Sequence, residues 1–187
     1  MVLQTLNIEL QTLSTRRLLI GPNKTFMAVY TLERVQQLPI SLEEAWAFFS
    51  SPANLKVITP PEMGFDILSG ARWVKQMYPG QVIAYTVRPL WNIPMHWLTE
   101  ITQVKEGEYF IDEQRSGPYA LWHHQHHFRS IPGGVEMTDL LHYKLPLGLL
   151  GRLAHFLFVG KRVAEIFDFR EEILEKRFGR MVVASNT

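Results

Sequence analysis

Four of the seven histidines fall within five residues, in the string Trp122-His123-His124-Gln125-His126-His127-Phe128. Imidazole trades protons near neutral pH and its nitrogens ligate metals, so this string is the first place to look for chemistry. On an extended strand successive side chains alternate between faces. Trp122, His124, His126 and Phe128 therefore share one face, and His123, Gln125 and His127 share the other. The face carrying Trp122 and Phe128 is the apolar one, which predicts His124 and His126 inside and His123 and His127 toward solvent.

The next segment adds a carboxylate. If Ile131 to Gly134 form a hairpin turn, residue 130 pairs with 135. Phe128 then faces Met137, His126 faces Asp139, His124 faces Leu141 and Trp122 faces Tyr143. A slip of one residue would put Asp139 and His126 on opposite faces. An inward Asp139–His126 pair has several uses. It satisfies a buried histidine, it orients the polar group of a ligand in an apolar pocket, or, with His124, it serves as an acid–base pair for ring closure or dehydration of a polyketide. His124-x-His126 with Asp139 or Glu113 also has the makings of a metal site. A Gly117-Pro118 turn that sets Gln114 opposite Tyr119 places Glu113 opposite Ala120 and on the inner face. Trp97 and Glu100 lie on opposite faces of their strand, and the sequence leaves open which is inward. Trp73, Trp91 and Tyr78 are candidates for a cavity mouth.

The elements that must position these groups follow from the pattern. Phe26 to Val35 is rich in β-branched and aromatic residues and predicts a strand, ended by Pro39. Ser41 and Glu44 form a capping box for a short apolar helix, and Ser51-Pro52 restarts a second one that Thr59-Pro60-Pro61 stops. Apolar runs at Gln81–Val87, Met95–Val104, Tyr109–Gln114, Tyr119–Arg129 and Val135–Leu145 are separated by turn signals, as consecutive antiparallel hairpins require. After Pro146 the period becomes helical to about Phe178, with Leu150, Leu153, Leu157, Gly160, Ala164, Phe167, Leu174 and Phe178 on one face. The fold class is α+β: a curved antiparallel sheet wrapped around a long C-terminal helix, with two short helices after the first strand. The expected division is a poorly ordered extension at 1–25, a domain at 26–179 and a tail at 180–187.

That order, with the strings Leu42-Glu43-Glu44-Ala45-Trp46-Ala47-Phe48-Phe49, Ile58-Thr59-Pro60-Pro61-Glu62-Met63-Gly64-Phe65, Ser116-Gly117-Pro118-Tyr119, Met137-Thr138-Asp139 and Leu145-Pro146-Leu147-Gly148, resembles the START/SRPBCC (helix-grip) superfamily, in particular its small bacterial ligand-binding proteins. The resemblance covers about residues 28–178. It implies a deep apolar cavity between sheet and helix for a lipid, quinone or polyketide-like molecule, and no single reaction. The residues expected to contact such a ligand are Trp97, Glu113, Trp122, His124, His126, Phe128, Asp139, Tyr143, Leu157, Gly160 and Phe167. His126, His124 and Asp139 are the set for catalysis if there is any.

Composition narrows the classes. With 187 residues, 47% of them hydrophobic, one sizeable core is affordable, and a formal net charge of +1 lacks the basic footprint of a nucleic-acid binder. Cysteine is absent, which removes disulfides, thiolate metal sites and cysteine nucleophiles. No P-loop, G-x-S-x-G, H-E-x-x-H or G-x-G-x-x-G motif occurs, so neither a cofactor nor a metal is expected. The apolar run 147–169 is interrupted by five charges and does not predict a membrane span. A cytoplasmic location and a small hydrophobic ligand are the expectations. An interaction module that touches a membrane or a protein is the alternative. It predicts an exposed apolar patch around Pro60-Pro61-Glu62-Met63 or Leu147-Gly148-Leu149-Leu150.

Overall fold

A computed structural model describes residues 28–68, 74–88 and 93–181. The expected extension at 1–25, the start of the first strand at Phe26, Trp73, Trp91 and residues 182–187 lie outside the described residues.

The chain begins with strand β1 (Tyr30–Leu38), helix α1 (Leu42–Phe49) and 3-10 turns at Pro52–Lys56 and Pro61–Met63. Ser41 caps α1 by accepting the Glu44 amide at 3.1 Å. Strands β2 (Asp66–Ile67), β3 (Val82–Val87), β4 (Met95–Lys105), β5 (Tyr109–Ser116), β6 (Leu121–Ile131) and β7 (Gly134–Lys144) follow. They form one antiparallel sheet in the order β1-β7-β6-β5-β4-β3-β2, so the first strand closes against the last. Two register shifts in the β4–β5 ladder, at Leu98/Thr99 and Ile101/Gln103, mark bulges, which bend and twist a sheet. Strand β7 alternates without a break: Val135, Met137, Asp139, Leu141 and Tyr143 are buried, and the residues between them are half-buried. The inner face of the sheet is thereby fixed.

The C-terminal helix is one continuous helical run in three parts: α2 (Leu149–Ala154), a π-helical turn (His155–Val159) and α3 (Gly160–Phe178). Val163, Phe167 and Leu174 on α3 bury their side chains against the sheet. Polar ties hold it there. Arg34 on β1 reaches Asp168 at 3.3 Å, and the Gln36 amide donates to the Glu171 carbonyl at 2.9 Å.

One expectation fails along this helix. Leu150, Leu153 and Leu157, placed by regular spacing on the buried stripe with Phe167, are exposed. The π turn inserts one extra residue, and one residue is about 100° of rotation, so the stripe does not continue through it. Leu157 is therefore not a cavity residue. Gly160 is not one either. A Cβ there would lie 2.9 Å from the His155 ring and 3.2 Å from its carbonyl oxygen. The close approach is to His155, which stacks on Tyr30 at 3.4 Å and hydrogen-bonds the Tyr143 hydroxyl at 2.8 Å.

Candidate functional site

The β6–β7 register agrees with the sequence reading at each position: Trp122 faces Tyr143, His124 faces Leu141, His126 faces Asp139 and Phe128 faces Met137. His124, His126 and Asp139 are buried, at 3%, 5% and 2% exposure. The β5–β6 register differs. Glu113 pairs with His123, Asp112 with His124 and Phe110 with His126. Relative to the expected pairing of Glu113 with Ala120, the offset is three residues. An odd offset flips every side chain to the other face. The connection is longer than a tight turn because the Gln114 side chain closes it, donating to the Tyr119 carbonyl at 2.6 Å and accepting its amide at 3.2 Å. Glu113 thus points outward, to His123 at 2.9 Å and Arg115 at 3.1 Å, and Asp112 takes the inner position. On β4, Trp97, Thr99 and Ile101 are inward, while Glu100 faces outward to Arg115.

Five side chains form a closed polar cluster on the inner face. Each imidazole lies between both carboxylates. His124 places Nε2 at 3.0 Å from Asp139 Oδ1 and Nδ1 at 3.5 Å from Asp112 Oδ2. His126 places Nε2 at 3.0 Å from Asp112 Oδ2, and its Nδ1 lies 2.7 Å from Asp139 Oδ1 without hydrogen-bond alignment. Arg170, from α3, donates to both Asp139 oxygens at 3.3 Å. Phe110 stacks on His126 at 4.2 Å and Phe167 packs edge-on to His124 at 5.4 Å.

Burial pushes both carboxylates up. For Asp139 the charges of Arg170 and His126 outweigh it and hold the acid well below the usual range. For Asp112 the His126 hydrogen bond and the charge of His124 outweigh burial and lower the acid. Burial pushes both imidazoles down. His126 is nonetheless raised, because Asp139 and Asp112 flank it, whereas His124, beside the His126 charge, falls to about 4. Protonated at His126 and neutral at His124, the cluster would carry no net charge, with two carboxylates against one guanidinium and one imidazolium. A neutral cluster is what a buried site tolerates.

The cluster forms one wall of a cavity of about 120 Å³, to which Asp112, His124, His126 and Arg170 contribute with Tyr85, Trp97, Thr99, Trp122 and apolar neighbours. Trp97 lines this cavity, and its indole nitrogen is buried with no hydrogen-bond partner among the described residues. A second, more apolar groove of about 380 Å³ lies under Leu147, Leu150, Ala154 and Phe158, and shares Tyr119 and Ile166 with the first. Asp139 stands behind the histidines, away from the cavity. Phe128 and Tyr143 pack in the core instead of lining it, Phe128 against Trp46 and Phe49. Tyr78 is exposed.

Asp112 and Arg170 were missed by sequence reasoning. The signal for Arg170 was available: it sits three residues after Phe167 and four before Leu174, on the buried face. Asp112 had none beyond the hairpin register that was misjudged.

No family model and no curated protein matches the chain. Solved structures do. A Chromobacterium violaceum protein aligns with a TM-score of 0.60 at 12% identity, covering 81% of this chain and 98% of its own. Major latex-like protein 151 from Panax ginseng gives 0.58 at 13%, covering 80% and 97%. Ara h 8.0201 gives 0.54 at 15%, covering 80% and 99%. At such identities the likeness is one of fold. With its seven-stranded curved sheet closed over a long C-terminal helix, the chain has the helix-grip fold.

Proposed function

We propose that the protein binds a small, mostly apolar molecule whose carbonyl- or hydroxyl-bearing end enters the inner cavity and whose remainder lies along the outer groove. The observation that carries this is the cluster of Asp112, His124, His126 and Arg170 at the wall of an otherwise aromatic and aliphatic space. Pockets of this kind hold a ligand by apolar contact and orient it with a few placed polar groups. The inner cavity alone takes a ring-sized group. The groove that shares Tyr119 and Ile166 with it extends the space to that of a lipid, quinone or polyketide-like molecule. Native mass spectrometry of the purified protein, with organic extraction, tests this. One co-purifying or added amphiphile per chain is expected. A chain that stays empty against a panel of all three classes would contradict it.

A specific surface observation supports a further part of the reading. Leu147, Leu149, Leu150, Leu153, Phe156 and Leu157 are all exposed, Phe156 at 84%. Between Asp139 and Glu165 the chain has no acidic residue but contains Lys144, Arg152, Lys161 and Arg162, the last two reaching Glu165 at 3.7 and 3.4 Å and Arg162 also Glu62 at 3.4 Å. An exposed apolar patch flanked by basic side chains fits the surface of an anionic bilayer. The groove opens beneath Leu147 and Leu150, within this patch, so docking would place the ligand entrance at the membrane. No described helix is long and apolar enough to span one. Co-sedimentation with phosphatidylglycerol vesicles is expected for the wild type and lost in Leu150→Glu/Phe156→Glu. Equal pelleting of both would contradict docking through this patch.

A further inference from the structure

The inner cluster also has the arrangement of a metal centre. The geometry points to a divalent transition-metal site, Zn²⁺-like in its preferences, formed by Asp112 Oδ2, His124 Nδ1 and His126 Nε2, with its remaining position open to the cavity. One ligand atom from each of these three residues lies within 4.8 Å of the other two. The two contacts to Asp112, at 3.0 Å from His126 and 3.5 Å from His124, bracket the separation of about 3.3 Å between ligands on a tetrahedral ion with bonds of about 2.0–2.1 Å. Strand geometry supplies the set: two imidazoles at alternate positions of β6, and a carboxylate paired directly opposite His124 on β5.

The other nitrogen of each ring supports the assignment. His124 Nε2 hydrogen-bonds Asp139 Oδ1 at 3.0 Å, His126 Nδ1 lies 2.7 Å from the same oxygen outside hydrogen-bond alignment, and Asp139 is held from behind by Arg170. A ligating histidine whose second nitrogen is turned to a carboxylate is the usual support of such a centre. The count of protons leads to the same place. Four imidazole nitrogens approach carboxylate oxygens within 3.5 Å, and two neutral rings carry only two N–H protons. If a metal took one nitrogen of each ring, the remaining N–H groups would both lie on the Asp139 side, and two nitrogen lone pairs and the Asp112 carboxylate would face the ion. Two nitrogens and one oxygen favour zinc, cobalt or ferrous iron over calcium or magnesium, which prefer oxygen.

In the bound protein the open position would coordinate the carbonyl or hydroxyl oxygen of the ligand. In this respect the inference rests on the cavity reading, whereas metal binding itself does not. The test is a titration of the chelator-treated full-length protein with Co²⁺ and Zn²⁺, read by d–d absorption, calorimetry and melting temperature. One Co²⁺ per chain with a low-symmetry visible spectrum, and a raised melting temperature with Zn²⁺, are expected. Asp139→Asn should weaken binding about 10–100-fold and leave the stoichiometry at one. His124→Ala should abolish the visible spectrum. His123→Ala, on the outer face, should leave both readouts unchanged. Absence of stoichiometric binding by the folded wild type overturns the site, and so does loss of binding in His123→Ala with retention in His124→Ala. A protein that binds metal but no organic ligand would sink the cavity reading and spare this one.

Discussion

Asp112 and Glu113 are neighbours of the same chemical class with opposite surroundings. Asp112 touches two buried imidazoles, while Glu113 shares the outer surface with His123 and Arg115. Exposed ion pairs contribute little, so Glu113→Gln should change stability by less than about 0.5 kcal/mol and leave ligand binding intact. Asp112→Asn removes the anion that offsets a buried imidazolium. A loss of about 1–3 kcal/mol by chemical denaturation is expected, together with weaker ligand binding. Equal effects of the two substitutions would contradict the assigned faces. At this scale the sequence was legible in part. His124, His126 and Asp139 follow from period-two alternation and a hairpin whose Pro132-Gly133-Gly134 turn sets the register. Glu113 and Asp112 depended on a connection closed by the Gln114 side chain. Nothing in residue type announces that contact.

The C-terminal helix shows the same limit at the scale of an element. Its apolar spacing predicts one buried stripe from Leu150 to Phe178, and the π turn at His155–Val159 interrupts it. Which apolar residues are covered was therefore legible for Phe167 and Leu174, on α3, and illegible before the turn. Close packing at the turn has a measurable consequence. Alanine is the better helix former by about 1 kcal/mol, yet Gly160→Ala would press a methyl group on a His155 ring that is fixed by Tyr30 and Tyr143. A lower melting temperature is expected, with ligand capacity unchanged because Gly160 is outside the cavity. A gain in stability would show that the ring yields. His155 also makes this junction acid-sensitive. Burial lowers its pKa below 6.5, so the unfolded chain binds the proton more readily than the folded one. The stability it contributes is complete above about pH 6.5 and is lost as pH falls below that value. His155→Phe keeps a ring against Tyr30, and its stability should fall less steeply over that range. Parallel profiles would contradict this role.

Across the whole molecule, order and pairing of strands were largely legible because turns and alternation are local signals. The joining of helix to sheet was less so, because it depends on long-range polar contacts. Arg170 is the clearest case: one side chain on α3 neutralises Asp139 on β7 and completes the charge balance of the cavity wall. Arg170→Met would leave that carboxylate buried against one cation fewer. A loss of about 3–5 kcal/mol is expected, and Asp139→Leu in the same chain should restore much of it. A double variant no more stable than Arg170→Met alone would show that the ion pair is not the source.

The central claim is that inner cavity and outer groove form one binding space. Ile166 borders both, and it lies outside the polar cluster. The most direct measurement is an equilibrium titration of wild type and Ile166→Trp with a solvatochromic naphthyl ketone, an apolar probe with a single carbonyl. Wild type should bind one probe per chain with a blue-shifted emission. Ile166→Trp, folded by circular dichroism, should bind at least tenfold more weakly. Equal binding by the two proteins, or no saturable binding by the wild type, would contradict the account.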